Sequence, residues 1–251
     1  MSKVLVIGEE CMDIFIYGDT PRLSPEGPAP VFIPKNEVYN GGMGMNVCRN
    51  LQELNIESDF HHQLNTITKT RYVHQSSNTL LLRVDEEQGV DRVKDETLTH
   101  IDFWEYSMVV ISDYNKGFLT EEDIAYIAFK HPNTICDTKK KLGEWCKDLR
   151  FIKLNRTEFE NNKEFIEQND WILEKLIITL DKDGCMYKGT SYPTEQVEIM
   201  DISGAGDTFV AGFVKMFLDT EDIPKSIQFA NRCSTQVVQR RGVTTIDYEN
   251  L

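Results

Sequence analysis

The segment Asp201-Ile202-Ser203-Gly204-Ala205-Gly206-Asp207-Thr208-Phe209-Val210-Ala211-Gly212-Phe213 carries three small residues into an apolar run that reads as a helix. Small side chains at Gly204, Ala205 and Gly206 let backbone N–H groups approach an anion, and the start of the helix adds positive potential. The turn is built to receive a phosphate. Asp207 falls in the first turn of that helix, where its carboxylate is expected to stay ionised beside an incoming phosphoryl group and to accept a hydroxyl proton. The competing reading is an aspartate that only caps the helix. A second glycine-rich stretch, Asn40-Gly41-Gly42-Met43-Gly44-Met45-Asn46-Val47, leads into another helical pattern. By itself it also fits a hinge with an Asn cap.

The elements that must position these groups are legible as short apolar runs, each closed by Gly, Asp or Asn: 3–8, 107–112, 134–137, 151–154 and 176–180. Their near-continuous hydrophobicity predicts strands buried on both faces, as in a parallel sheet between helical layers. The pattern over 42–54 predicts a helix with Met45, Val47 or Cys48, Leu51 and Leu54 on one side. Thr120 with Glu121 and Glu122 predicts another helix start. Two segments break the rhythm, 11–40 with Pro21, Pro25, Pro28 and Pro30, and 64–87 with strand-like Arg71-Tyr72-Val73 and Leu80 to Val84, and they are expected to pair as a small separate sheet.

The net charge of -14 argues against nucleic acid or an anionic membrane as partner, because like charges repel. A phosphorylated substrate must then meet a local basic cluster, for which Lys69, Arg71, Arg83 and Lys116 are the candidates; an ordinary solvated face is the alternative for each. The six cysteines show no CxxC pair and read as reduced, mostly buried thiols. His61-His62 lacks further ligands at metal-binding spacing, and Trp104, Trp145 and Trp171 form no stripe. The run Val4 to Ile7 is too short for a signal peptide or membrane span, so a cytoplasmic location is expected.

Asp-x-x-Gly-Ala-Gly-Asp-x-Phe-x-x-Gly at 201–212 resembles the second signature of the ribokinase-like (PfkB) sugar kinases, and 40–47, followed by Leu51 and Leu54, resembles the first. The resemblance implies a ribokinase-like three-layer α/β sandwich, with a mostly parallel central sheet and a small β lid, as a single domain over 1–251. It implies Asp207 as catalytic base, with the N–H groups of Gly204, Ala205 and Gly206 on the phosphoryl oxygens. Gly41, Gly42, Asn46 and Asp13 would hold the sugar. Asn155 and Glu158, in Asn155-Arg156-Thr157-Glu158, would organise magnesium and phosphate through water, though Glu158 also reads as a helix cap. Thr179, Asp181 and Gly184 would lie along ATP, and Asn231 at the adenine. The lid would form a homodimer contact.

The stretches Arg22 to Val31, Thr68-Lys69-Thr70-Arg71, Leu82 to Glu87 and Ser112-Asp113-Tyr114-Asn115-Lys116-Gly117 narrow the resemblance to kinases of D-glycero-β-D-manno-heptose 7-phosphate. That similarity adds Asp113, Lys69, Arg71, Arg83 and Lys116 to the substrate side. The chain departs from those kinases between Leu54 and Thr66, where it is shorter, so part of one sheet edge is expected to be missing. No nucleotidyltransferase domain is expected in this sequence. A kinase for another small sugar or nucleoside, or a non-catalytic sugar-binding regulator, would keep the same pockets.

Overall fold

The computed structural model describes residues 2–87 and 89–251. The chain enters the core at once: in β1 (Lys3–Gly8) every residue after Lys3 is buried. Successive side chains of a strand point to opposite faces. Val4 and Val6 therefore join one apolar cluster with Phe209 and Phe213, while Leu5 and Ile7 join the other with Ile124 and Ile127. A strand covered on both sides must lie inside a helix–sheet–helix sandwich.

The remaining elements are β2 (Glu10–Leu23), β3 (Pro30–Met43), α1 (Gly44–Glu53), β4 (Glu57–His61), β5 (Ile67–His74), β6 (Leu80–Glu86), α2 (Asp95–His100), β7 (Met108–Asp113), α3 (Glu121–Lys130), β8 (Thr134–Thr138), β9 (Phe151–Asn155), α4 (Arg156–Asn161), α5 (Lys163–Gln168), β10 (Leu176–Thr179), β11 (Cys185–Tyr187), β12 (Thr190–Tyr192), α6 (Ala205–Thr220) and α7 (Ile223–Val238). Among the described residues the strands form an eight-stranded sheet, ordered β12-β11-β10-β9-β8-β7-β1-β4, and a four-stranded sheet, ordered β3-β2-β5-β6. From β10 to β4 all neighbours in the large sheet are parallel. Their carboxyl ends, at Gly8, Asp113, Thr138, Asn155 and Thr179, therefore open on one edge, where sheets of this kind bind ligands.

The small sheet is built from the two segments that break the α/β rhythm, with β2 pairing antiparallel to β3 and parallel to β5. It starts one residue after β1 ends, so it hangs over the same edge. Two boundaries differ from the sequence reading. The helix expected from residue 42 begins at Gly44, because β3 continues to Met43 and pairs Gly41 and Gly42 with Met12 and Cys11. The buried face of α1 runs through Asn46, Val47, Asn50 and Leu51 rather than Met45, which is only half-buried. Two asparagines on a core face signal a polar network, described below. All six cysteines are free thiols, five of them buried. His62 pairs with Glu10 at 2.9 Å and its ring stacks on Phe60. No helix among the described residues is long and apolar enough to cross a membrane.

Candidate active site

Gly204 stands at the entrance to α6 with φ 82°, and a Cβ there would lie 2.6 Å from Asn46 Nδ2. Both the left-handed backbone and the close approach demand glycine. The turn delivers Asp207 to the third position of α6, where it is 4% exposed. Its Oδ1 accepts from Tyr114 Oη at 2.8 Å and its Oδ2 from Asn46 Nδ2 at 3.1 Å. Asn50 braces Asn46 in turn, donating to its backbone and side-chain oxygens and accepting from Ile246 N.

Burial outweighs the hydrogen bonds from Tyr114 and Asn46, and pushes the Asp207 pKa from 3.8 up to about 6. The carboxylate expected to stay ionised at the helix start is thus harder to ionise than a free aspartate. An N-terminal helix position favours the anion, but loss of hydration costs more. At neutral pH the carboxylate is still mostly ionised, and a base poised near the working pH suits proton transfer.

A cavity of about 360 Å³ opens beside the turn and is lined by Gly204, Ala205, Gly206, Asp207, Asn155, Thr179, Asp181, Gly184 and Asn231, which the sequence singled out. The structure adds Asp137, Lys139 and Lys153 to its wall. Lys153 Nζ donates to Asp137 Oδ2 at 2.9 Å, both side chains being buried, and a Cβ on Gly206 would lie 2.9 Å from that ammonium. The backbone of the turn therefore rests against a cation. Asp137 Oδ1 is buried with no hydrogen-bond partner among the described residues. Asn231 donates to Tyr192 O at 2.8 Å, and Thr179 Oγ1 to Leu154 O at 3.3 Å, so both are held by backbone carbonyls at the cavity wall.

Glu158 is more occupied than expected. Its Oε2 accepts from Asn155 N at 2.7 Å, its Oε1 from Asn155 Nδ2 at 2.8 Å and from Lys139 Nζ, and Asn155 Oδ1 returns a bond from Glu158 N at 2.8 Å. This is a capping box closed by a lysine. The described residues hold no group of three His, Cys, Asp or Glu side chains suited to a metal.

On the lid side, Asp13 is 5% exposed and bound by Arg71 at 2.5 Å. A Cβ on Gly42 would fall 2.1 Å from Asp13 Oδ2, so glycine there makes room for this carboxylate. The strand register aligns Asp13 with Lys69, Lys69 with Asp85, and Arg71 with Arg83. The expectation of one free basic cluster is corrected: Arg71 is engaged with Asp13, Arg83 with Asp85 at 2.7 and 2.9 Å, and Lys116 with Glu87 at 2.5 Å. Lys69 instead lies over the Tyr114 ring, 5.6 Å from its centroid. In so acidic a chain, carboxylates compete for every cation. Asp113 is corrected as well: with no exposure, it accepts from Thr138 Oγ1 at 2.5 Å, Lys140 Nζ at 3.0 Å and Asn115 N at 3.2 Å. It braces the turn after β7. Asn46, expected at the sugar, is fully buried and spends its amide on Asp207 and Gly204 O.

A family model described as pfkB family carbohydrate kinase matches residues 55–250. The chain belongs to this family. Among curated relatives, the bifunctional protein HldE of Helicobacter pylori is 29% identical over 306 aligned positions, covering 100% of this chain and 66% of that protein. HldE of Hydrogenovibrio crunogenus is 26% identical, covering 98% and 61%. The first alignment is longer than this chain's 251 residues, so the relative carries segments that this kinase lacks. In the structure β4 is the sheet edge on that side, and residues 62–66 alone join it to β5. Solved structures agree on the fold: ribokinase of Thermotoga maritima (TM-score 0.74, 14% identity, 99% of this chain and 98% of that one) and phosphofructokinase-2 of Escherichia coli (0.75, 12%, 100% and 97%).

Several groups of this carbohydrate kinase escaped the sequence reading. Glu9 is fully buried, and its carboxylate accepts from Tyr114 N at 2.7 Å, Lys116 N at 3.0 Å and Phe118 N at 3.2 Å. Burial first, then the nearby Asp113, raises its pKa. Tyr114, Asp137, Lys139 and Lys153 were equally unremarked. A signal existed for all of these except Tyr114: each is a charged residue within or abutting an otherwise apolar strand, and charge there is rarely idle.

Proposed function

We propose that this sugar kinase uses ATP to phosphorylate a sugar phosphate, D-glycero-β-D-manno-heptose 7-phosphate being the favoured acceptor, at its anomeric hydroxyl to give the 1,7-bisphosphate. The observation that carries the kinase chemistry is Asp207 in the cavity wall, one residue beyond the Gly204 to Gly206 turn, with Lys139 and Lys153 lining the same cavity. The acceptor preference is supported by the HldE relatives.

In the proposed reaction the sugar hydroxyl gives its proton to Asp207 as its oxygen bonds to the γ-phosphorus and the bond to the ADP oxygen breaks. The backbone N–H groups of Gly204, Ala205 and Gly206 face the charge that develops on the phosphoryl oxygens, and Lys139 and Lys153 add positive potential from the cavity wall. Thr179, Asp181, Gly184 and Asn231 border the rest of the nucleotide. Asp13, given room by Gly42 and held by Arg71, faces the sugar together with Gly41 and Gly42. For magnesium the donor set fits contact through water: Glu158 is already engaged, and the partnerless Asp137 Oδ1 is the buried carboxylate oxygen free to hold such a water. Magnesium, when bound, supplies charge neutralisation to the triphosphate.

The domain is read as one unit over 1–251, its lid pairing with a second copy through the exposed Leu80, Leu81, Leu82 and Val84 of β6. The deciding experiment compares kcat/KM for heptose 7-phosphate, fructose 6-phosphate and free ribose. Preference for free ribose would remove the heptose assignment and leave the kinase reading in place, whereas unchanged turnover in excess chelator would remove magnesium.

A further inference from the structure

Tyr114 sits in the loop between β7 and α3, and that loop is unusually well fastened. Three consecutive-alternate N–H groups, of Tyr114, Lys116 and Phe118, converge on the buried Glu9 carboxylate, and Asp113 binds Asn115 N from the other side. Asn115 takes the left-handed backbone, with φ 55°, that the tight turn requires. Bonds from backbone N–H groups to a buried carboxylate are strong, so the loop holds its side chain in one place.

That side chain ends on the proposed proton acceptor. The Tyr114 hydroxyl donates to Asp207 Oδ1 at 2.8 Å. Its ring has an ammonium group near it from each side of the site: Lys69 Nζ of the lid lies 5.6 Å from the centroid, and Lys139 Nζ of the cavity wall lies 5.4 Å away. A ring so placed attracts both cations. The other groups facing Asp207 are Asn46 from α1, Cys11 from β2, Asp137 from β8, Lys139 just beyond β8, and Lys153 from β9. Of these, only Asn46 also hydrogen-bonds the carboxylate.

We propose that Tyr114 is a positioning residue for phosphoryl transfer: its hydroxyl orients the Asp207 carboxylate and favours its anionic form, while its ring holds the ammonium groups of Lys69 and Lys139 near it. The proposal rests on the reading of Asp207 as proton acceptor. A carboxylate has about four acceptor sites, so two bonds from Tyr114 and Asn46 leave room for the substrate hydroxyl. The tyrosine O–H bond serves the anion, and without it Asp207 keeps its proton to higher pH.

Tyr114→Phe tests this by removing the hydroxyl and leaving the ring. Losing one hydrogen bond to a charged group is expected to move the acid limb of kcat/KM upward by about one to two pH units, so that activity at pH 7 falls roughly two- to tenfold and recovers near pH 9. Carbon-13 NMR titration of the Asp207 carboxyl should move by the same amount. Should the phenylalanine variant fold poorly, 3-fluorotyrosine at position 114 keeps ring and hydroxyl but donates more strongly, and it should move the limb downward. An unshifted acid limb and an unshifted Asp207 titration in either protein would overturn the proposal. Asp207→Asn distinguishes the two levels: activity retained there sinks the underlying reading, whereas an inactive Asn variant beside an unshifted Tyr114→Phe sinks only the role of Tyr114.

Discussion

Asp207→Asn removes the charge of a carboxylate that is 4% exposed and keeps its shape. Raising the pKa from 3.8 to about 6 makes the ionised form about 3 kcal/mol less favourable in the folded protein than in the unfolded chain. Because the folded value lies above the unfolded one, Asp207 supports folding fully only below about pH 3.8, and that support is lost as the pH rises to about 6. The amide oxygen of the variant can accept from Asn46, and its nitrogen can donate to the Tyr114 oxygen, whose own hydrogen then loses its acceptor. That loss takes back about 1 kcal/mol. The variant is therefore expected to be about 2 kcal/mol more stable than the wild type at pH 8, with the gain shrinking to about 0.5 kcal/mol at pH 5. Urea unfolding at both pH values measures this, and a coupled assay of ADP release should show turnover lower by about a hundredfold or more. A variant less stable than the wild type at pH 8, by the same margin as at pH 5, would refute the argument from buried charge. Retained turnover would refute the role as base.

Lys153→Met strips the buried Asp137 of the ammonium it is paired with and is expected to cost about 3–5 kcal/mol of stability, more than half of it recovered when Asp137→Asn is added. A loss under about 1 kcal/mol in urea unfolding would show that the pair is not buried as described. Gly42→Ala places a methyl group against Asp13 Oδ2, so KM for the sugar should rise about tenfold or more, equivalent to about 1.4 kcal/mol, with KM for ATP nearly unchanged. Equal changes in both constants would argue against Asp13 on the acceptor side. Leu82→Lys, on the exposed lid strand, should convert a dimer to a monomer in light scattering without loss of fold. A wild type that is monomeric at all accessible concentrations would end the dimer proposal.

The sequence by itself determined the layers and the chemistry that local spacing encodes. Unbroken apolar runs named the buried parallel strands, since only burial on both faces tolerates them. The glycine turn before Asp207 was legible because a backbone with positive φ and an anion-sized gap leaves few residue types to choose from. Glu158 was legible as a cap for the same local reason, the reciprocal bonds with Asn155 spanning only three residues. Tertiary structure decided everything that depends on partners distant in the chain. Asn46, read as a sugar contact, meets Asp207 across 161 positions, and Tyr114 reaches it across 93. Arg71 looked like a free cation until the pairing of β2 with β5 brought it to Asp13, 58 positions away. The rise in the Asp207 pKa belongs here too. Helix position is written in the sequence, but desolvation is set by the volume that other segments fill, and in this site desolvation is the larger effect.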